Sequence, residues 1–388
     1  MKKHSFIFIL SLLIATNMFA SEGALVGEFS VSSSLKVHFS QGNLQYQAST
    51  KTWKFATKQN SRVGVSNNTS VSSSYTGWID LFSWGSSGYK LKPYEYVGAI
   101  SSWTPWFVDG DRTKNISGTN YDWGKYNKIS NGGNVAGRWR TLTAAEWKYL
   151  LSTRTNAAQK KSLGKVNGVK GLILLPDNWT KPGSCSFTAN QSSWTANVYT
   201  NEQWALMEAA GAVFLPACGH RYCDSNDENK IKVSGDSGYN TSYGEYWSGT
   251  HSEPSGSSGQ PTADMVYVNT TDLASINKYQ KYRYQGRSVR LVQNSSFYDA
   301  NTYTITTSAT NGVVTGGGKY DMNAQTILTA TPSDCYAFTR WSDGNTQNPR
   351  SITVTGDATY TAEFTKINYT IRGQNTPSTG GSVQVVNP

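Results

Sequence analysis

An α+β architecture is predicted by three observations: two capped segments with helical spacing, a larger number of short segments with period-two alternation, and a polar turn between nearly every pair. Loops this frequent, with so few helices, exclude a layered βαβ arrangement. Phe29–Phe39, Gly42–Tyr46 and Lys51–Phe55 alternate apolar and polar residues and read as antiparallel strands. Residues 61–74 are rich in Ser and Asn and read as a loop, and the aromatics of Trp78–Gly85 mark a core-facing segment. Tyr121–Gly124 and Asn131–Asn134 are turn-rich. Thr143 followed by Glu146 forms a capping box, with Trp147, Leu150 and Leu151 recurring at helical spacing, so a short amphipathic helix starts there. Leu172–Pro176 reads as a buried strand, and Asn201 opens a second helix through Trp204, Leu206, Met207 and Ala210. Val213–Pro216, Tyr246–Thr250, Ala263–Val268 and Gly286–Val292 read as further strands.

The chain of 388 residues begins with Met1-Lys2-Lys3-His4 and an apolar run from Phe6 to Ala15, ending in small residues near Ala20. Such a run is too short to span a membrane comfortably and reads as a cleaved secretory signal over residues 1–20. No Cys follows it where a lipoprotein would need one, and no later apolar stretch is long enough to cross a bilayer. With 37% hydrophobic residues, 13 Trp and 23 Tyr, the remainder has the material for a large core plus a second domain. The net charge is +10, yet residues 300–366 hold four Lys and Arg against five Asp and Glu, so the basic excess belongs to the first domain. A mixed solvated surface is the simplest reading of that excess, and attraction for acidic glycans the sharper one.

Further along, Tyr303–Ser308 and Thr326–Pro332 alternate, Asn311–Gly318 is a glycine turn, and Trp341 sits before Asp343-Gly344. Ser351–Thr355 and Thr359–Phe364 close this unit as strands. Tyr369 and residues 379–385 restart the pattern 66 positions after Tyr303, so a second repeat begins and is incomplete at Pro388.

Two resemblances follow from these motifs. Arg138 to Leu150 resembles the tryptophan-bearing helix of the formylglycine-generating enzyme superfamily. Together with Asn120–Gly124, Leu174–Trp179, Phe214–Pro216, Tyr246–Thr250 and Ser288–Val292, in that order, it is similar to the Fibrobacter succinogenes major paralogous domain family, in its Bacteroidetes members. That resemblance covers residues 25–293 and implies a C-type-lectin-like domain with two short helices and several antiparallel strands, over residues 21–298. Residues 299–366 resemble the internalin-type B repeat, a small β-grasp-like module of surface proteins, and 367–388 the start of a second one.

Chemistry-bearing residues are sparse. Cys218-Gly-His-Arg-Tyr-Cys223 resembles the redox cysteine pair of formylglycine-generating enzymes, but here it precedes the Tyr246-Trp247 motif that it should follow. The expectation is a structural disulfide, Cys218 to Cys223 or one of these to Cys185, with Cys335 left over. His38, His220 and His251 have no metal-ligand spacing. Glu253-Pro254-Ser255 and Gln260-Pro261-Thr262 are similar to the calcium and sugar loop of C-type lectins, but lack the amide or carboxylate after Pro, so no cofactor is expected, calcium being the alternative. Lys278 to Arg290 interleaves cations with rings, a composition that stacks sugars and attracts anions. On it rest the candidate ligand residues Tyr279, Tyr282, Arg283 and Tyr284, with Trp247 and Asn269 on neighbouring segments, and the alternative of a core strand with a decorated outer face. The density of Asn, Tyr, Ser and Asp from Ser234 to Tyr284 is compatible with the variable receptor-binding loops of diversity-generating retroelements and equally with ordinary lectin loops. No Ser-His-Asp set, P-loop or paired-carboxylate motif occurs.

The expected protein is therefore an exported or surface-displayed bacterial binding protein, not an enzyme, recognising a glycan or protein through its first domain, with the β repeats as spacer. A structural envelope or adhesion scaffold is the alternative, and an oxidase using Cys218 and Cys223 a more remote one. Neither nucleic acid nor a membrane span is expected.

Overall fold

In a computed structural model, the described residues are 23–70, 72–96, 104–224, 227–234, 243–253, 260–300, 302–321 and 324–368. The expected signal, residues 1–20, and residues 369–388, where a second repeat is expected to start, lie outside them. The chain divides into two compact units, the first running to Thr302 with residues 319–321, the second comprising Tyr303–Gly318 and the chain from Met322.

The predicted α+β, C-type-lectin-like architecture is not what the chain forms. Strand accounts for 41% of it and helix for 12%, in many small, mainly antiparallel sheets. Both expected helices are present with their caps but are short. The first, Ala144–Lys148, has Thr143 and Glu146 in a reciprocal capping box, then widens into a π turn over Tyr149–Thr153. The second, Asn201–Ala209, is capped by Thr200 and Gln203. Arg154 closes the first, its Nε donating to the Leu150 carbonyl at 2.9 Å, and Gly211 follows the second. The helices therefore cover sheets without forming a layer of their own.

In the first unit, β1 (Ala24–Ser30) and β15 (Val292–Asn294) flank β2 (Lys36–Ser40), so the two ends of the unit are joined through one strand. β4 (Thr52–Phe55) and β5 (Trp78–Ile79) flank β3 (Leu44–Gln47). β6 (Lys161–Val166), β7 (Val169–Leu174), β8 (Val198–Tyr199) and β9 (Val213–Pro216) form a sheet in the order β8-β6-β7-β9. β10 (Arg221–Asp224) pairs with β11 (Asp227–Val233). β12 (Tyr243–Ser252), β13 (Thr262–Asn269) and β14 (Leu273–Tyr282) form an antiparallel meander.

Strand alternation explains how this meander divides the core. Trp247, Ala263 and Met265 join Trp53, Trp84, Trp123 and Trp139 in one apolar cluster. Their neighbours Tyr246, Val266 and Val268 join Phe29, Phe39, Trp147 and Leu172 in another. β7 is divided likewise, since Leu172 and Leu174 face the second cluster while Ile173 packs with Phe214, Trp204 and Met207 in a third. A strand covered on both faces reads as a continuous apolar run, as Leu172–Pro176 does.

Asp122 ties the aromatic cluster to the first expected helix. The Tyr121–Gly124 turn is a one-turn helix, Trp123–Tyr126, capped by Asp122. The Asp122 carboxylate accepts from Gly124 N at 3.2 Å, Thr141 Oγ1 at 2.9 Å and Thr141 N at 2.9 Å, two residues before the Thr143 cap. Gly124 lies so close to Trp139 that a Cβ there would be 2.4 Å from the Trp139 carbonyl oxygen.

In the second unit, Thr302–Ala309 pairs in parallel with Ala358–Lys366, which pairs antiparallel with Tyr336–Trp341. Gly312–Thr315 and Arg350–Thr353 flank Gln325–Pro332. Trp341 is fully buried, and its indole donates to the Gln347 carbonyl at 2.8 Å.

Burial pushes the Asp122 carboxyl up to about 6 against the hydrogen bonds that favour its charge. Its folded value exceeds the ordinary one, so its contribution to stability is complete below about pH 4 and declines as pH rises through 6, by about 3 kcal/mol at most. Asp122→Asn should flatten that part of the stability profile, and Asp122→Ala should flatten it too while stranding the Thr141 and Gly124 donors, so that its cost is largest at pH 4, shrinks as pH rises through 6, and exceeds that of Asp122→Asn by about 2–3 kcal/mol. Urea denaturation at pH 4, 5, 6 and 7 measures both effects.

Candidate functional site: a buried arginine frame under a tyrosine pair

The segment that follows β14 carries Arg283, Arg287 and Arg290, and all three lie inside the first unit, at 0%, 0% and 1% exposure. Arg221 on β10 is equally buried, and its backbone pairs with Gly286 in both directions, at 2.8 and 2.9 Å. Buried guanidinium groups are costly unless their donors find partners, and each of these finds a different set, with Arg221 Nε, Arg287 Nη1 and Arg290 Nε left over among the described residues.

Arg283 donates to three carbonyls, from Nε to Thr262 at 2.9 Å, from Nη1 to Trp106 at 2.8 Å and from Nη2 to Arg112 at 2.5 Å. Its guanidinium also lies over the Trp84 ring at 4.2 Å. Arg287 Nε stands 2.6 Å from Glu245 Oε2, and its guanidinium covers the Trp247 ring at 4.5 Å. Arg290 donates to Gln59 Oε1 at 2.7 Å and Asn43 Oδ1 at 3.3 Å, and Gln59 in turn donates to Glu208 at 2.9 Å. Burial lowers Arg221, Arg283 and Arg290 to about 10, which leaves each charged at neutral pH. Bridges from Phe82 to Arg287 and from Tyr246 to Ser288 stitch the segment between strands.

Two of the candidate ligand residues are thus scaffold. Arg283 faces inward, and Trp247 is 1% exposed, its indole donating to the Phe82 carbonyl at 2.7 Å. Neither presents its side chain to a ligand, because the chain leaves β14 at Tyr282 and runs through the core, where Arg283, Arg287 and the oppositely placed Arg290 are all buried. Asn269 is half-buried at the far end of β13, where its Oδ1 accepts from Thr271 N and Asp272 N and caps the β13–β14 turn. Tyr282 pairs with Thr262 at the other end of the same strand, seven residues and roughly 20 Å away, so Asn269 does not join it. Tyr279 lies in β14, and its side chain is outside the described residues.

Tyr282 and Tyr284 are brought together. With Arg283 turned inward between them, both rings turn outward, stacked at 5.3 Å with planes 9° apart. Tyr284 is braced on its other side by the buried Trp106, at 6.0 Å and 66°. Both tyrosines are half-buried. Trp106, Trp84 and Glu245 were not among the candidates from sequence; their sole signal is composition, since nothing in a linear pattern announces which carboxylate meets a buried arginine.

The cysteine expectation is corrected. Cys185, Cys218, Cys223 and Cys335 form no disulfide. Cys218 and Cys185 are buried, Cys185 in the third apolar cluster beneath the second helix and Cys218 beside Leu81 and Val233. Burial, followed by the charge of Asp80, pushes the Cys218 thiol up to about 12, the opposite of what a reactive thiolate needs. His220 lies against Tyr222, Tyr243 and Glu245, and burial lowers it to about 4, so its ring is neutral.

Residues 303–368 match the family model of the divergent InlB B-repeat domain. No curated protein and no solved structure matches the chain. The repeat is consistent with a bacterial surface or adhesion-type protein, and no helix among the described residues is long and apolar enough to cross a membrane.

Two outcomes follow. Arg287→Ala leaves Glu245 buried and uncompensated and should cost about 3–5 kcal/mol, whereas Arg287→Met with Glu245→Leu should recover most of that loss; denaturant midpoints separate the two. In the native protein at pH 8, a thiol reagent should modify the exposed Cys335 rapidly, and Cys218 and Cys185 only after unfolding. Fast native labelling of Cys218 would contradict its burial.

Proposed function

We propose that the protein is an exported or surface-displayed binding protein that recognises a glycan or protein ligand through the Tyr282–Tyr284 pair. One observation carries this reading: two parallel, stacked rings, half-buried at the surface, are held at a strand end whose intervening residue is locked into the core by three carbonyls and a tryptophan. Aromatic rings presented on a rigid support lose little conformational freedom on binding and offer a broad apolar contact with a polar tip. The B-repeat supports placement at the surface, and the basic, apolar amino terminus supports export. The relation of residues 25–293 to the Fibrobacter succinogenes major paralogous domain family rests on motif order alone.

The function is recognition without turnover. A catalytic cysteine pair would need a thiolate, and burial disfavours that state for Cys218. No cofactor is assigned.

A screen of immobilised glycans and host-surface proteins tests the reading, run with wild type, Tyr282→Ala and Tyr284→Ala. Each variant should keep the wild-type melting temperature to within a few degrees and weaken binding about tenfold or more, the loss of one stacking contact with its ordered surroundings. Wild-type binding retained in both folded variants would remove the tyrosine pair from the site. Arg283→Ala, in contrast, should fail by unfolding.

A further inference from the structure

Asp264 takes no part in the arginine frame. It sits on β13, 7% exposed, and among the described residues no donor reaches its carboxylate. That is an unusual state for a carboxylate, since desolvating one without a partner is costly and such groups concentrate where a ligand completes them. Ser248 donates to the Asp264 backbone carbonyl at 2.9 Å, which fixes the backbone and leaves the side chain's acceptors unused.

Register places this carboxylate beside the tyrosines. Thr262 lies opposite Tyr282 and Asp264 opposite Gln280, so Thr262, Asp264 and Tyr282 share one face of the hairpin. Asp264 and Tyr282 are diagonal neighbours, a separation that long and aromatic side chains bridge. Thr262 Oγ1 is already engaged with Ser252, as donor to its carbonyl at 2.9 Å. Tyr284 is bracketed by Trp106 and Tyr282, so no described ring covers the far face of Tyr282.

We propose that Asp264 is the polar anchor of the tyrosine site and that the ligand is a neutral sugar residue, its C–H face on Tyr282 and its hydroxyls donating to the Asp264 carboxylate. The proposal rests on the tyrosine pair being the binding site and adds the chemistry of what binds. A carboxylate is an acceptor only, so the ligand must bring donors. Among donors, an ammonium is disfavoured by Arg283 beneath the site, Lys281 beside it and the net charge of +10, whereas hydroxyls carry no such penalty.

The site should also respond to pH. Burial alone raises the Asp264 carboxyl to about 6, so the accepting form predominates above that value and fades below it. The charged or titratable groups on adjoining elements include Tyr243, Glu245, Tyr246, His251 and Glu253 on or beside β12, Lys281 and Tyr282 on β14 with Arg283 after it, and Glu146 and Lys148 on the first helix. Burial, followed by the charge of Arg283, lowers His251 from the ordinary imidazole range and so favours its neutral form.

The test is calorimetric titration of the full chain with xylohexaose, mannohexaose, cellohexaose and maltohexaose at pH 8 and pH 5, for wild type, Asp264→Asn and Tyr282→Ala, with tetramethylammonium as the cation control. At least one oligosaccharide should bind wild type at pH 8, weaken about tenfold at pH 5 where about a tenth of Asp264 is ionised, and weaken about tenfold in Asp264→Asn with the pH dependence gone. Binding lost in Tyr282→Ala but unchanged in Asp264→Asn and with pH would overturn the anchor and leave the tyrosine site standing. Binding unchanged in both variants would overturn both. No binding of any of the four sugars, or binding of tetramethylammonium in their place, would overturn the sugar assignment.

Discussion

The first unit depends on getting three guanidinium groups out of water along one segment. Arg283, Arg287 and Arg290 enter the core between two apolar clusters, and each needs a different kind of neighbour: backbone carbonyls for Arg283, the Glu245 carboxylate for Arg287, side-chain amides relayed to Glu208 for Arg290. These requirements reach into almost every part of the unit. Thr262, Trp106, Arg112, Glu245, Asn43 and Gln59 must all be in place before the segment can settle, since a buried cation lacking its partner costs several kcal/mol. Two indoles complete the frame, Trp84 under Arg283 and Trp247 under Arg287.

Binding chemistry is a by-product of this frame. Arg283 lies in the turn that ends β14 and is fixed inside, while the residues on either side of it stay half-buried at the surface. Tyr282 and Tyr284 are those residues, and Trp106, which supplies a carbonyl to Arg283, also braces the Tyr284 ring. The outward pair is therefore as rigid as the core that holds it, with little entropy left to lose on contact with a ligand.

How much of this could be read from sequence differs by level. Both helix starts were legible because a capping box is a local pattern, Thr143 with Glu146 and Thr200 with Gln203. Strands at β3, β4, β7, β9 and β13 were legible from alternation or from a continuous apolar run. The fold class was not, because helix starts say little about helix lengths, and five- and nine-residue helices do not make a layer. At the site, the cation and aromatic interleaving marked the correct segment but left its two faces unassigned: Arg283 and Trp247 face the core, Tyr282 and Tyr284 the solvent. Asp264 had no local signature, since its isolation is defined by what surrounds it in space. The cysteine pair misled for the same reason, its spacing alone saying nothing of whether the thiols meet.

Residues 282–290 are a buried segment, bridged on both sides and held by arginines, and amide hydrogen exchange tests this most directly. The amides of Arg283, Arg287 and Val292, which donate to Pro261, Phe82 and Arg140 carbonyls, should exchange as slowly as those of β7 and β9, through global unfolding. Exchange of this segment within seconds, at the rate of an exposed loop, would contradict the account.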